Sequence, residues 1–211
     1  INKQDTICAP ATVPGTGAIS VIRLSGPQAL SIADKVVTCN GTPLSSTDGY
    51  RIRYGTVLDN DGETVDNVLV SVFRAPHSYT GEDSAEISCH ASGYIVQTII
   101  GLLLDAGARS AGPGEFTRRA FVNGKMDLAQ AEAVADVIAA QDKAAHRVAM
   151  NQLKGGYSKE LGKLRAKLLK MASLLELELD FSEEDVEFAS RDEMSLLVND
   201  VLHHVSTLAS S

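Results

Sequence analysis

Asn123-Gly124-Lys125-Met126-Asp127-Leu128-Ala129-Gln130 is the stretch on which the fold turns. Asp127, followed three residues later by Gln130, forms a capping box and predicts that a helix opens here. The Ala-rich run behind it favours helix intrinsically. Composition shifts at the same place: 10 basic residues face 12 acidic ones before Met126, and 9 face 15 after it. The expected fold class is α+β, with a mixed first unit over residues 1–124 and an all-α second unit over 125–211.

Upstream, Ile19-Ser20-Val21-Ile22-Arg23-Leu24 has apolar residues on both faces, which predicts a strand buried on both sides. Arg51 to Val57 and Asn67 to Phe73 bracket the turn-rich Asp59-Asn60-Asp61-Gly62 and read as a hairpin. Ser84 to His90 reads as a further strand. Pro27 to Val37 and Tyr94 to Leu104 have helical spacing, the first with Pro in its first turn. No regular βαβα rhythm links these elements.

Downstream, Gly155-Gly156 would ordinarily stop a helix. The apolar positions Leu153, Tyr157, Leu161, Leu164, Leu168, Met171 and Leu175 nevertheless keep their phase through the glycines. One long helix from about Ala144 to Leu179 is therefore expected. Asp180 to Asp185 is an acidic connection, and Ser190 with Glu193 forms a second capping box before a last amphipathic helix. Apolar stripes this long need partners, so the sequence reads as cut inside a helical domain. It also begins at Ile1 rather than Met.

The chain has 211 residues, 44% hydrophobic and 22% charged, which excludes a disordered tail, a collagen-like fibre and a small disulfide scaffold. Tyr94 to Leu104, the longest apolar stretch, is interrupted by Gln97 and Thr98 and falls short of the ~20 residues that cross a bilayer. No basic, apolar and small-residue series opens the sequence, which argues against a secretory signal. Cys8, Cys39 and Cys89 lack paired spacing and read as free thiols of a reducing compartment. The net charge of −8 makes a poor stand-alone nucleic-acid binder, since phosphate contacts need clustered Lys and Arg.

Three stretches could carry chemistry. Pro14-Gly15-Thr16-Gly17 is a Gly-containing turn whose N–H groups could meet an anion, or a plain turn. Tyr79-Thr80-Gly81-Glu82-Asp83 can place a carboxylate at a pocket rim, where it could accept the parallel N–H donors of a pterin or guanine edge. Solvated acids on a turn are the alternative. Pro113 to Phe121 carries Arg118 and Arg119, forked donors for carboxylate or phosphate, unless it is an interdomain linker. Lys125 precedes a helix N-terminus, a place that favours anions. His77, His90, His146, His203 and His204 have no metal-ligand spacing, and the His203-His204 pair reads as a solvated helix edge. Neither a Walker loop nor a G-x-S-x-G elbow occurs.

Taken in order, Asp5-Thr6-Ile7-Cys8-Ala9, Ile22-Arg23-Leu24-Ser25-Gly26, Ser78 to Asp83, Pro113 to Phe121, Asn123 to Ala133 and Asp180 to Glu184 closely resemble the N-terminal part of the tRNA-modification GTPase family MnmE, also called TrmE. The resemblance runs over essentially the whole chain and is most specific from Gly114 to Ala133. It implies a tetrahydrofolate-binding-like domain that forms a constitutive homodimer, followed by the first part of a helical domain. A Ras-like G domain is inserted in that helical domain in the family. By motif position, Arg23, Glu82 and Lys125 match the folate-contacting residues. The implied ligand is 5-formyltetrahydrofolate, with 5,10-methylenetetrahydrofolate as one-carbon donor.

The resemblance further implies a cytoplasmic protein that works with the FAD-containing partner MnmG on the C5 position of wobble uridine in tRNA, with no membrane role. GTP, Mg²⁺ and K⁺ would bind only through the G domain, so these residues alone are not expected to hydrolyse GTP. The chain departs from the family at Thr16, usually basic, and at Ala18, usually Gly. Two rival readings are a stand-alone folate-dependent one-carbon transferase and a non-catalytic dimerisation scaffold.

Overall fold

In a computed structural model of the protein, residues 5–180 and 191–209 are described. The chain divides into two compact units, 1–126 and 127–211. The first is built on one mixed sheet. Its strands are β1 (Ile7–Pro10), β2 (Ile19–Ser25), β3 (Val37–Cys39), β4 (Arg51–Leu58), β5 (Thr64–Phe73), β6 (Ser84–His90) and β7 (Arg109–Ser110). They lie in the order β3-β4-β5-β6-β2-β1-β7. Every neighbouring pair is antiparallel except β1 and β7. Helices α1 (Ala29–Val36) and α2 (Gly93–Asp105) place Leu30, Ile32, Ile99 and Leu103 against Ile22, Leu24, Val70 and Ile87 of the sheet. The architecture is α+β.

The hairpin is the pair β4–β5, with the tight turn at Asp59–Gly62. β2 differs from its sequence reading. Ser20, Ile22 and Leu24 are buried, but Val21 and Arg23 are only half-buried and Ile19 is 67% exposed. The reason is that α1 and α2 cover one face of the sheet only. The other face carries Ile19, Ile52, Tyr54 and Leu69 exposed, around a central Arg23–Glu86 pair. Pro113 to Phe121, open to a linker reading, contains helix α3 (Glu115–Val122).

The second unit contains α4 (Leu128–Ala139), α5 (Lys143–Leu153), α6 (Gly156–Asp180) and α7 (Arg191–Ala209). Both halves of the Asp127/Gln130 capping box are formed. The long helix expected over Ala144–Leu179 is broken. Gly155 takes φ +77°, the left-handed conformation in which L-residues are strained, and α5 ends there before α6 begins. Gln130 Nε2 donates to Leu153 O at 2.9 Å, so α4 ties down the end of α5. Four residues of the expected stripe, Tyr157, Leu161, Leu168 and Leu175, are exposed on α6. Ser190, Glu193 and the acidic connection beyond Asp180 lie outside the described residues or their side chains.

α6 and α7 run antiparallel, joined by Lys167 to Asp200 at 2.6 Å and His204 Nε2 to Glu160 at 3.2 Å. His204 is thus a bridging residue, while His203 is exposed. Among the described residues, no helix is long and apolar enough to cross a membrane.

Gly155→Ala decides the helix break by sign. In a continuous helix Ala would stabilise by about 1 kcal/mol; at φ +77° it is expected to destabilise by about 1 kcal/mol, read as a lower denaturation midpoint.

Candidate functional site

The loop between β5 and β6 organises the site. Gly81 takes φ +78°, and a side chain there would crowd Asn123 and the Lys125 stem at 3.2–3.3 Å. Glycine therefore lets Lys125 lie along the loop, where its Nζ donates to Pro76 O at 3.0 Å. Asn123 Nδ2 donates to Thr80 O at 2.7 Å, and Tyr79 Oη pairs with Thr117 Oγ1 at 2.8 Å. Helix α3 and its C-terminal turn thus clamp the loop.

Glu82 is held from two sides. Ser25 Oγ donates to its Oε2 at 2.7 Å, and Arg119 Nη1 spans Oε1 and Oε2 at 3.3 and 3.2 Å. Because the one Ser25 proton goes to Glu82, the 2.6 Å contact between Ser25 and buried Thr80 has Thr80 as donor. Two donors converge on Oε2, while Oε1 takes only the longer Arg119 contact. Oε1 retains capacity for a donor from outside, and the side chain is 19% exposed.

Arg23, one pleat away from Ser25 on β2, bonds Glu86 Oε1 through Nε at 2.9 Å and Nη2 at 2.7 Å. Its guanidinium lies 4.8 Å from the centroid of Tyr79 and 5.6 Å from that of Phe116. The structure therefore brings Arg23, Glu82 and Lys125 around one loop, at Tyr79, at its end and at Gly81 respectively. The Pro14–Gly17 turn does not join them. It borders a different cavity of about 430 Å³ beside the start of α2, lined by Pro10, Val13, Val96 and Ile100 among others.

Arg119 is the component that the motif alone did not distinguish from Arg118. It is 2% exposed, whereas Arg118 is 57% exposed. Arg119 Nη2 donates to Asp5 Oδ1 at 2.6 Å and Glu115 Oε1 at 3.4 Å, and Nη1 to Asp5 O at 3.0 Å. Its buried Nε has no partner among the described residues. Arg109 completes the cluster, bonding Glu115 Oε1 at 2.7 Å and Asp5 Oδ2 at 2.6 Å. Of the motif's two forks, Arg119 is thus spent on internal carboxylates, whereas exposed Arg118 keeps only a 3.6 Å contact to Glu115. The spacing of Glu115 and Arg119, four apart on one helix, was the available signal.

The cluster shapes its own titration. Hydrogen bonding from Arg109, against the opposing effect of burial, brings the Glu115 carboxyl down to about 2. Burial pushes Asp5 up, but the bonds from Arg109 and Arg119 outweigh it and leave the group below its ordinary value. Burial pushes the Cys89 thiol up to about 11, and Cys8, Cys39 and Cys89 are all free.

Arg119→Met is expected to cost about 3–5 kcal/mol, because it removes the buried cation shared by three acids and leaves Glu82 without its ion pair, while Asp5 and Glu115 keep Arg109. Arg118→Ala is expected to stay within about 0.5 kcal/mol, both read by denaturant unfolding. A depressed Glu115 contributes stability that is full above pH 4.5 and lost as pH falls through about 2. The loss is on the order of 3 kcal/mol, and Arg109→Met should remove most of this pH dependence.

Comparison with known proteins places the two units in sequence. The family model described as "GTP-binding protein TrmE N-terminus" matches residues 6–125, and "MnmE helical domain" matches residues 128–211. The tRNA modification GTPase MnmE of Bacteroides fragilis (strain YCH46) is 54% identical over 211 residues, covering 99% of this chain and 45% of the relative. That of Bacteroides thetaiotaomicron is 55% identical over 211 residues, with 99% and 45% covered. That of Flavobacterium johnsoniae is 55% identical over 198 residues, with 93% and 42% covered. The chain spans less than half the length of these relatives. With both family models matched end to end, the chain belongs to the TrmE/MnmE family of tRNA modification GTPases.

Proposed function

We propose that residues 1–124 form a folate-binding and dimerising module, and 125–211 the first part of a helical domain, of a GTPase that modifies tRNA. The observation that supports this most is the gathering of Arg23, Glu82 and Lys125 around the Pro76–Glu82 loop. Glu82 Oε1 would accept an N–H from the pterin edge of 5-formyltetrahydrofolate. Arg23 and Lys125 would serve carbonyl or glutamate-tail oxygens, and the Tyr79 and Phe116 rings would provide flat apolar walls. Reduced folate, with 5,10-methylenetetrahydrofolate as donor, would supply the one-carbon unit.

The exposed apolar residues of the open sheet face, Ile19, Ile52, Tyr54 and Leu69, favour burial against a second copy and support the homodimer reading. The relatives are more than twice as long as this chain, and in this reading GTP hydrolysis with Mg²⁺ and K⁺ would belong to the further length. In this reading the whole protein acts in the cytoplasm with the FAD-containing MnmG to install an aminomethyl or carboxymethylaminomethyl group on wobble uridine.

Glu82→Ala would strip a partner from buried Arg119, so Glu82→Gln is the cleaner test. Calorimetric titration with 5-formyltetrahydrofolate should show saturable binding, with no response to GTP. Glu82→Gln should weaken binding by about 1.5–3 kcal/mol, the worth of a hydrogen bond to a charged group. Unchanged affinity in the variant would remove the pterin assignment. No folate binding by a folded dimer would leave the scaffold role.

A further inference from the structure

The net charge of −8 conceals a segregation. From Lys143 to Lys170 stand eight basic residues and one acidic residue, Glu160, a local charge of +7. The rest of the chain holds 11 basic and 26 acidic residues, or −15. The basic tract occupies α5, the break at Gly155 and the first half of α6.

On α6, Lys159, Lys163, Lys167 and Lys170 recur at helical spacing and share one face. The row runs about 16 Å at the α-helical rise. Lys163 is tied to Glu160 at 2.6 Å and Lys167 to Asp200 at 2.6 Å. Lys154, Lys159, Arg165 and Lys170 are exposed and form no ion pair among the described residues. Lys143 and Arg147 are likewise exposed at i, i+4 on α5.

An ordinary solvated helix face intersperses both signs, whereas here like charges repel along the helix. The single acid in the tract is already engaged by Lys163 and by His204 of α7. What such a row lacks is a polyanion. Its cations are mostly lysines, point charges that hold phosphates without reading bases. The relatives bear the name tRNA modification GTPase, which makes RNA the polyanion they meet.

We propose that the basic tract of α5 and α6 is a docking surface for the phosphate backbone of RNA, with Lys159 and Lys170 as the cations of the α6 row that form no ion pair among the described residues; Arg165 lies on the opposite side of the helix. The surface is sequence-independent and uses neither the residues nor the unit of the folate reading, so either can fail without the other. It also qualifies the expectation drawn from net charge: the clustering that phosphate contacts require is present locally.

The test is fluorescence anisotropy of a short labelled RNA hairpin titrated with the whole 211-residue chain at several salt concentrations. Saturable binding at about 50 mM salt, weakening steeply towards about 200 mM, is expected. The double variant Lys159→Ala, Lys170→Ala should keep its melting temperature and flatten the log–log salt slope by about 1 to 2. No binding at low salt, or the same slope in the variant, overturns the proposal. Polyaspartate that displaces the hairpin as well as unlabelled RNA of equal charge also overturns it, reassigning the surface to an acidic protein.

Discussion

A guanidinium withdrawn from water costs several kcal/mol unless carboxylates replace the lost hydration. Arg119, 2% exposed, meets that condition with acids from three places in the chain: Asp5 before β1, Glu82 at the end of the β5–β6 loop and Glu115 one turn earlier on α3. The consequence is geometric as much as energetic. Glu82 cannot move without uncovering Arg119, and Arg119 cannot move without freeing Asp5 and Glu115. A surface loop is thereby given the fixity of a core element. The turn that closes the same helix carries Asn123 and Lys125, which fasten the other side of the loop through Thr80 O and Pro76 O. Three residues without an element in common, Arg23, Glu82 and Lys125, owe their proximity to this clamp.

The sheet supplies the second constraint. Its register sets Arg23 opposite Glu86 and Glu86 opposite Ser71, a polar row across β2, β6 and β5. The adjacent row, Val21, Ser88, Leu69 and Tyr54, is largely apolar. With α1 and α2 confined to the opposite face, that row has no helix to cover it. Burial by a second copy would remove exposed apolar surface and also lower the dielectric around the Arg23–Glu86 pair. Folate binding and dimerisation, as proposed, would therefore act on neighbouring parts of one sheet face.

What could be read from sequence follows from the range of the interactions involved. Ser84–His90, the β4–β5 hairpin and the Asp127 capping box depend on neighbours within a few residues, and all three stand in the structure. The β2 strand was located correctly, but which face is covered depends on where α1 and α2 pack, and apolar alternation alone does not carry that. Apolar phase across Gly155 suggested one helix, because period reports faces and not backbone continuity; φ +77° is invisible to it. At the site, the motif containing Arg118 and Arg119 showed two equivalent forks. Only the helical turn separates them, aiming one at buried acids and the other at solvent. The partners that decide Arg119's role lie 114 and 37 residues away and have no local signature.

Net charge leaves a local tract unseen for a related reason: a sum discards position. Electrostatic attraction to a polyanion is governed by charges within roughly 10 Å, the screening length near physiological salt. Acids grouped elsewhere in the chain cannot neutralise a row of lysines beyond that distance. They do weaken the longer-range approach of an anion, which makes encounter more salt-sensitive than the contact itself. An acidic protein with one basic helix tract is therefore suited to short-lived contact, holding RNA only where the row meets phosphate directly. If the proposed RNA surface holds, it separates the work of the second unit's helices from the small-molecule chemistry proposed for the sheet.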